Sequence, residues 1–299
     1  MSDHPVDLTR LFAPVQRIDA YLTGVLDDPK LDLAPSLREA MKYAVLNGGK
    51  RLRPLLAWYC CEALGAPGEA SLPAGAAVEF VHAFSLVHDD LPPLDNDDLR
   101  RGKPTLHKHA GEAMAILAGD ALLALSFDVL ARCSLSSRLL SRAVLKMING
   151  QVLDTLAESQ AERSPREQVA LIHEQKTGAL LLAAAELSVS AADQWLQSHN
   201  RQSNPAGIKG LAEYTHDIGL LFQIVDDLID VEQPAESAGK RTGKDAAAGK
   251  LTYPAVFGIE HSKAEVARLK VAALAAIAPL GPPAQPLRDL AHYLATRTK

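Results

Sequence analysis

The sequence predicts an all-α protein built as a single domain over residues 1–299, and three observations carry that prediction. Apolar residues recur at three- and four-residue steps in Ala- and Leu-rich segments, as in Leu117, Leu122, Leu125, Val129 and Leu130, which is the spacing of one helix face. Strand signals are poor, with aromatics at 5%, few alternating runs, and no Asn-Gly or Asp-Gly pair joining two β-branched runs. Breakers fall at intervals that divide the chain into about ten or more helices of ordinary length.

Taken in order, Gly48-Gly49 is the first break, and Pro54 is placed to open the next helix at its first position. The run VEFVHAFSLVH reads as a buried helix that Pro92-Pro93 ends or kinks. Gly102-Pro104 precedes the helix carrying Leu117 to Leu130, and Ser164-Pro165 marks the next clear break. The apolar run from Gly178 to Ala192 contains Glu186 and falls short of the roughly 20 residues that cross a bilayer. The polar stretch Gln197 to Pro205 suits a helix–helix connection, and GLLFQIVDDLIDV follows as a strongly apolar helix. Gly239–Gly243 and Gly281–Pro283 are the last breaks; no fixed-period repeat is present, and no break demands a domain boundary.

The chain is 47% hydrophobic and 22% charged, enough for a sizeable core and a deep internal pocket. A formal net charge of -5 gives no broad basic field for nucleic acid or an anionic membrane, so neither is expected as a partner. Any bound anion must be held by local clusters. Cys60 and Cys61 are adjacent and Cys133 stands apart, which fits neither a disulfide framework nor a thiolate zinc site. The N-terminal MSDHPVDLTRLFAPV has an acid and a proline where a secretory signal would have basic and then apolar residues. A soluble protein in a reducing cytoplasm is expected.

The most informative segment is HDDLPPLDNDDLRRGK, which sets Asp89, Asp90, Asp95, Asp97 and Asp98 directly before Arg100, Arg101 and Lys103. Asp89 and Asp90 fall near a helix C-terminus, where partial negative charge disfavours each by a few tenths of a kcal/mol to about 1 unless a cation compensates. A lone acid-rich loop is most often a solvated surface, but a second motif changes the balance. In GLLFQIVDDLIDV, Asp226 and Asp230 share one face at i, i+4 with Gln223 beside them, and Asp227 follows Asp226. Paired hard oxygen donors suit Mg²⁺, which shares its shell with water and substrate phosphates. GGKRLRP supplies Lys50, Arg51 and Arg53 as a candidate diphosphate cradle. KTG (Lys176 to Gly178) and the glycine-flanked Lys240, Lys244 and Lys250 are uninformative singly.

The ordered set GGKRLRP, HDDLPPLDNDDLRRGKPT, GQxxD (Gly150, Gln151, Asp154), KTG, FQIVDDLID and GKLTYP resembles the trans-isoprenyl diphosphate synthases, most closely the bacterial farnesyl diphosphate synthases. The likeness covers nearly the whole chain; Asn149 stands where a glycine is expected and Asn96 where a fourth clustered aspartate is common. The resemblance implies an isoprenoid synthase fold, with helices around a deep central cavity, a homodimer, and condensation of isopentenyl diphosphate with dimethylallyl and then geranyl diphosphate to farnesyl diphosphate.

It further implies three Mg²⁺, with Asp89 and Asp95 bridging two, Asp90 supporting them, and Asp226 taking a third whose waters Asp227 and Asp230 hold. Arg100, Lys176, Thr177, Gln223 and Lys240 would form the allylic site, and Lys50, Arg53, His82 and Arg101 the isopentenyl site. Thr177, Gln223 and the Lys176 carbonyl would offer dipoles to the carbocation. His82, seven residues before Asp89, shares its helix face; His88, His107 and His109 have no assigned role. Phe84 and Ser85, five and four residues before Asp89, would set chain length at fifteen carbons. The alternatives are a geranyl or geranylgeranyl product, a terpene cyclase, and a non-catalytic partner subunit. Lys50, Arg53 and Arg101 argue against a cyclase, and two intact acidic motifs argue against a non-catalytic subunit.

Overall fold

The computed structural model describes residues 6–156, 163–232 and 251–298. The chain opens with α1 (Leu8–Leu11), whose N-terminus the Asp7 carboxylate caps, followed by α2 (Val15–Leu26) and α3 (Pro35–Leu46). The Gly48-Gly49 break is real, since both glycines sit at positive φ (89° and 123°), a region costly for other residues. Helix α4 (Leu52–Ala63) begins two residues before the expected Pro54 start. Pro54 is tolerated there because the first four N–H groups of a helix have no intrahelical acceptor in any case.

Helix α5 (Leu72–Asp89) is apolar almost throughout and ends where Pro92-Pro93 forbid its continuation, with Asp90 as its C-cap. A two-residue antiparallel pair follows, β1 (Leu99–Arg100) and β2 (Lys103–Pro104). The all-α prediction missed this small hairpin because its turn is Arg101-Gly102, both at positive φ (55° and 76°), and not the Asn-Gly or Asp-Gly that signals such turns. Then come α6 (Leu106–Ala110), α7 (Glu112–Arg132) and α8 (Ser137–Thr155). Ser164 and Glu167 close a reciprocal capping box at the start of α9 (Pro165–Ile172).

A single π-helical turn, His173–Gly178, carries α9 directly into α10 (Ala179–Ser198), and α11 (Pro205–Glu232) follows the polar connection at the Asn204-Pro205 break. The chain finishes with α12 (Tyr253–Phe257), α13 (Ile259–Ala276) and α14 (Gln285–Thr296). One apolar cluster runs from Leu11 to Leu294, with Tyr214 and Phe80 among its largest fully enclosed side chains. Helix α5 packs on α4, α7 and α10, and α11 packs on α10 and α13. The two acidic helices therefore both pack on α10.

Two segments, Gly68–Asp89 and Glu112–Arg132, are long and apolar enough to cross a membrane by length and composition. The first is largely enclosed by neighbouring helices, whereas α7 leaves Ile116 and Leu117 exposed, and α8 leaves Leu145, Ile148 and Val152 exposed.

Candidate active site

The first acidic motif doubles back on the end of α5. The Asp95 N–H donates to the Asp89 carbonyl (2.8 Å) and the Asp97 N–H to the Asp90 carbonyl (3.2 Å), which folds the loop so that Asp95 returns to Asp89. Asn96 turns at φ 49°, a left-handed conformation that asparagine tolerates better than most residues, so the departure from a fourth aspartate suits the local backbone. Burial, together with Asp95 and Asp90, pushes the Asp89 carboxyl up to about 6, against the opposing pull of Lys176 and Arg100. Asp90 is buried and gripped by Arg100, whose Nε reaches both carboxylate oxygens (2.9 and 2.8 Å) while Nη2 reaches Oδ1 (2.6 Å).

The hairpin aims adjacent arginines at different partners. Arg100 turns to Asp90, while Arg101 donates to the Gly48 carbonyl and covers Gly49, where a Cβ would lie 2.9 Å from its guanidinium. The glycine pair thus admits Arg101 to the GGKRLRP segment. Within that segment Arg51 is not a free cation: it is buried, at φ 51°, and bonds Asp19 (2.7 Å) and Glu79 (2.9 Å). Glu79 was a missed signal, an acid in an otherwise apolar helix and so in need of a buried partner.

Lys50 lies with its Nζ 5.5 Å from the centre of the Tyr293 ring. Arg53 keeps its Nε buried without a protein partner, and burial lowers its pKa although Glu79 and Asp226 pull the other way. His82 is held well below its usual value by burial and then by Arg53, Arg101, Arg100 and Arg51, so it is neutral at pH 7. The structure therefore gathers Arg53, His82 and Arg101 in mutual electrostatic reach. An enclosed cationic group of this kind, with an orphaned guanidinium nitrogen, fits an oxyanion.

The π-helical turn presents Lys176 and Thr177 from a widened stretch of backbone, a distortion common at functional sites. Gly150 of α8 lies against it, since a Cβ there would collide with the Lys176 nitrogen, while Asn149 is exposed and donates to the Gln175 side chain at 2.5 Å. The Asn149 departure leaves the packing intact because Gly150 makes the close approach. Lys176 Nζ donates to Asp154 (2.6 Å), the Thr177 hydroxyl to Gln223 Oε1 (2.7 Å), and Gln223 Nε2 to Asp227 Oδ1 (2.9 Å). These residues line a cavity of about 90 Å³, together with His173, Leu251 and Thr252.

In the second motif Asp226 meets Arg297 Nη2 at 2.8 Å and Asp230 is half-buried on the same helix face. Asp227 points elsewhere, buried against Gln223, the Tyr253 N–H (2.8 Å) and His173 (3.3 Å). Sequence reasoning missed Arg297, which gives no motif signal, and His173, which lies three residues before Lys176. Lys240 lies outside the described residues, as do Lys244 and Lys250.

The donors suit Mg²⁺ in kind, being oxygen-only paired carboxylates with Asp89 crowded and undercompensated. Among the described residues no three acids or histidines converge on one point. That suits an ion completing its shell with water and substrate phosphate. Phe84 is buried, with its ring edge-on to His88 (centroids 4.8 Å apart), and the Ser85 hydroxyl bonds the His82 carbonyl at 2.9 Å.

Comparison with known proteins identifies the family. Residues 34–275 match the polyprenyl synthetase family model. A chloroplastic geranylgeranyl pyrophosphate synthase 3 of Arabidopsis thaliana is 42% identical over 88% of this chain and 74% of its own. A chloroplastic geranylgeranyl pyrophosphate synthase of Catharanthus roseus is 40% identical over 93% and 81%. Among solved structures, an FPP/GFPP synthase of Zymomonas mobilis superposes with a TM-score of 0.76 at 34% identity, covering 96% of this chain and 98% of its own. With its two acidic motifs, basic cluster and helical frame, the chain belongs to the polyprenyl synthetase family, the prenyltransferases that elongate prenyl chains.

Proposed function

We propose that this protein joins isopentenyl diphosphate head to tail to an allylic diphosphate in isoprenoid biosynthesis, releasing diphosphate. The observation that carries the reading is the pairing of an undercompensated acid, Asp89, with Lys176 and Arg100 on one side and an enclosed Arg53–His82–Arg101 cluster on the other. Two separate cationic groups suit two diphosphates, whereas a cyclase acting on one allylic diphosphate would need only the first.

Arg100 and Lys176 hold the allylic diphosphate oxygens as the carbon–oxygen bond lengthens. Lys50, Arg53, neutral His82 and Arg101 hold isopentenyl diphosphate so that its double bond faces the allylic carbon. Thr177, Gln223 and the Lys176 carbonyl present dipoles to the carbocation, and the released diphosphate takes the proton. Asp89 and Asp95, supported by the Arg100-bound Asp90, together with Asp226 and Asp230 would hold Mg²⁺, three ions by family resemblance, which when bound supplies the charge neutralisation that lets diphosphate leave.

Product length has two readings. The geranylgeranyl names of the curated relatives favour twenty carbons over the fifteen expected from the sequence. The farnesyl reading keeps one specific support, the buried Phe84 ring about one turn before Asp89, where it can close the pocket. Chromatography of products formed from isopentenyl diphosphate with dimethylallyl or geranyl diphosphate decides between them. If Phe84 is the floor, Phe84→Ala lengthens the product; an unchanged spectrum in an active variant removes that support. A cyclic product made without isopentenyl diphosphate would overturn the reaction class.

The reading includes a cytoplasmic homodimer formed over α7 and α8, where Ile116, Leu117, Leu145, Ile148 and Val152 are exposed. Light scattering checks it, with Leu145→Asp expected to shift the chain toward monomer.

A further inference from the structure

His173 opens the π-helical turn that presents Lys176 and Thr177, and its side chain is only 3% exposed. Its Nε2 lies 3.3 Å from Asp227 Oδ2, and its ring stacks over Tyr253 with centroids 6.1 Å apart. Asp227 Oδ2 also accepts the Tyr253 N–H at 2.8 Å, while Oδ1 accepts Gln223 Nε2 at 2.9 Å. Gln223 in turn accepts the Thr177 hydroxyl at 2.7 Å. Both oxygens of this carboxylate therefore accept hydrogen bonds, from α11 and from the start of α12, and the π-helical turn brings the His173 ring nitrogen within 3.3 Å of Oδ2.

Its neighbour differs. Asp226 has a side chain 41% exposed, whereas that of Asp227 is 5% exposed. One residue further along a helix is a rotation of about 100°, which carries Asp227 off the Asp226–Asp230 face and into the protein. A ring filling space alone could be a leucine. Among the described residues a histidine here leaves Nδ1 buried without a partner, a penalty that the Nε2 contact with Asp227 offsets.

We infer that Asp227 is not a magnesium ligand but the hub of a tie, His173–Asp227–Gln223–Thr177, and that His173 is a positioning residue that holds the Lys176–Thr177 turn against the second acidic motif. The tie is local geometry; its catalytic consequence rests on the allylic-site reading of Lys176 and Thr177 above. Removing the donor loosens the turn and misplaces Lys176 and Thr177, while the acids that face solvent keep their metal.

The test compares His173→Leu, which fills the space without a donor, with His173→Gln, which keeps an N–H, and with Asp227→Asn and Asp226→Asn. Hydrogen–deuterium exchange of the full-length protein is expected to rise at least tenfold over residues 173–178 in His173→Leu, with α5 unchanged and His173→Gln near wild type. Manganese binding in the presence of inorganic diphosphate, read by electron paramagnetic resonance, should survive His173→Leu and Asp227→Asn and weaken at least tenfold in Asp226→Asn. In turnover, His173→Leu should lower kcat/KM for the allylic substrate tenfold or more with KM for isopentenyl diphosphate within twofold.

Loss of manganese in Asp227→Asn to the degree seen in Asp226→Asn would overturn the assignment. So would unchanged exchange at 173–178 in His173→Leu, or in His173→Gln and Asp227→Asn if the leucine variant does not fold. A wild-type protein without prenyl transfer would sink the proposed function while leaving the exchange and manganese results to judge the tie.

Discussion

The two acidic motifs look alike in sequence and behave differently in the fold. Both follow apolar helical runs: α5 ends at Asp89, where the helix dipole disfavours carboxylates, while Asp226 and Asp227 lie within α11. In the first, Asp89 is crowded by other acids and pushed up to about 6 despite Lys176 and Arg100, and its backbone carbonyl accepts the Asp95 N–H. In the second, Asp227 is saturated by protein donors and Asp226 meets a guanidinium. Asp89 is thus left electrostatically undercompensated and gains most from an added cation, whereas Asp227 is already satisfied by protein donors. Storing strain where the ligand will relieve it is a common property of functional sites.

The largest effect that would test this contrast is on turnover. Asp89→Asn or Asp226→Asn should lower kcat roughly a thousandfold or more, since each removes a charged group from the metal and diphosphate clamp. Circular dichroism should show the helical fold retained. Rates within tenfold of wild type in Asp89→Asn would break the claim that the unfinished motif is the functional one.

Next in size is a stability effect of opposite sign. Asp89 has a folded-state pKa raised from 3.8 to about 6, so the folded protein binds its proton more tightly than the unfolded chain. That contribution is fully present below about pH 3.8 and is lost as pH rises through about 6. At pH 7 without metal, ionised Asp89 therefore weakens the fold by up to about 3 kcal/mol, and Asp89→Asn should recover about 1–3 kcal/mol in urea denaturation. The gain should vanish near pH 4. An Asp89→Asn variant that is less stable at pH 7 would show that the motif is not strained.

Arg53→Ala should act on the other side of the site. It removes a partly enclosed cation with an orphaned Nε, and should raise KM for isopentenyl diphosphate about tenfold or more with smaller change in kcat. A rise confined to the allylic KM would exchange the two sites.

Much of this was legible because the signals are local. Pro92-Pro93 after VEFVHAFSLVH ends a helix whatever surrounds it, and Asp226 and Asp230 share a face by helical arithmetic alone. What was illegible depends on distant partners. Nothing near Arg51 says that it pairs with Asp19 and Glu79 in place of a ligand, and nothing in DDLID says that Asp227 turns inward to a histidine from another helix. The π-helical turn has no periodic signature, because its one extra residue falls within the polar stretch HEQKTG, where no apolar spacing marks the shift. Arg297, near the end of the chain, gains its meaning only from the packing that brings it to α11.

That last contact sets the smallest of the expected effects. Arg297 Nη2 reaches Asp226 Oδ1 at 2.8 Å and the Phe222 carbonyl at 3.1 Å, and its guanidinium lies 4.2 Å from the Phe222 ring centre. It occupies the second motif much as Arg100 occupies the first, but Arg100 grips a buried carboxylate with three contacts and Arg297 makes one contact to a carboxylate open to water. Screening at such a site limits the pair to about 1 kcal/mol. Arg297→Gln should therefore lower stability by no more than about that amount. It should also lower the magnesium concentration for half-maximal activity two- to threefold, because a competing cation has gone from Asp226. A requirement that rises instead would mean that Arg297 orients Asp226 for the metal, making the second motif as dependent on its neighbours as the first.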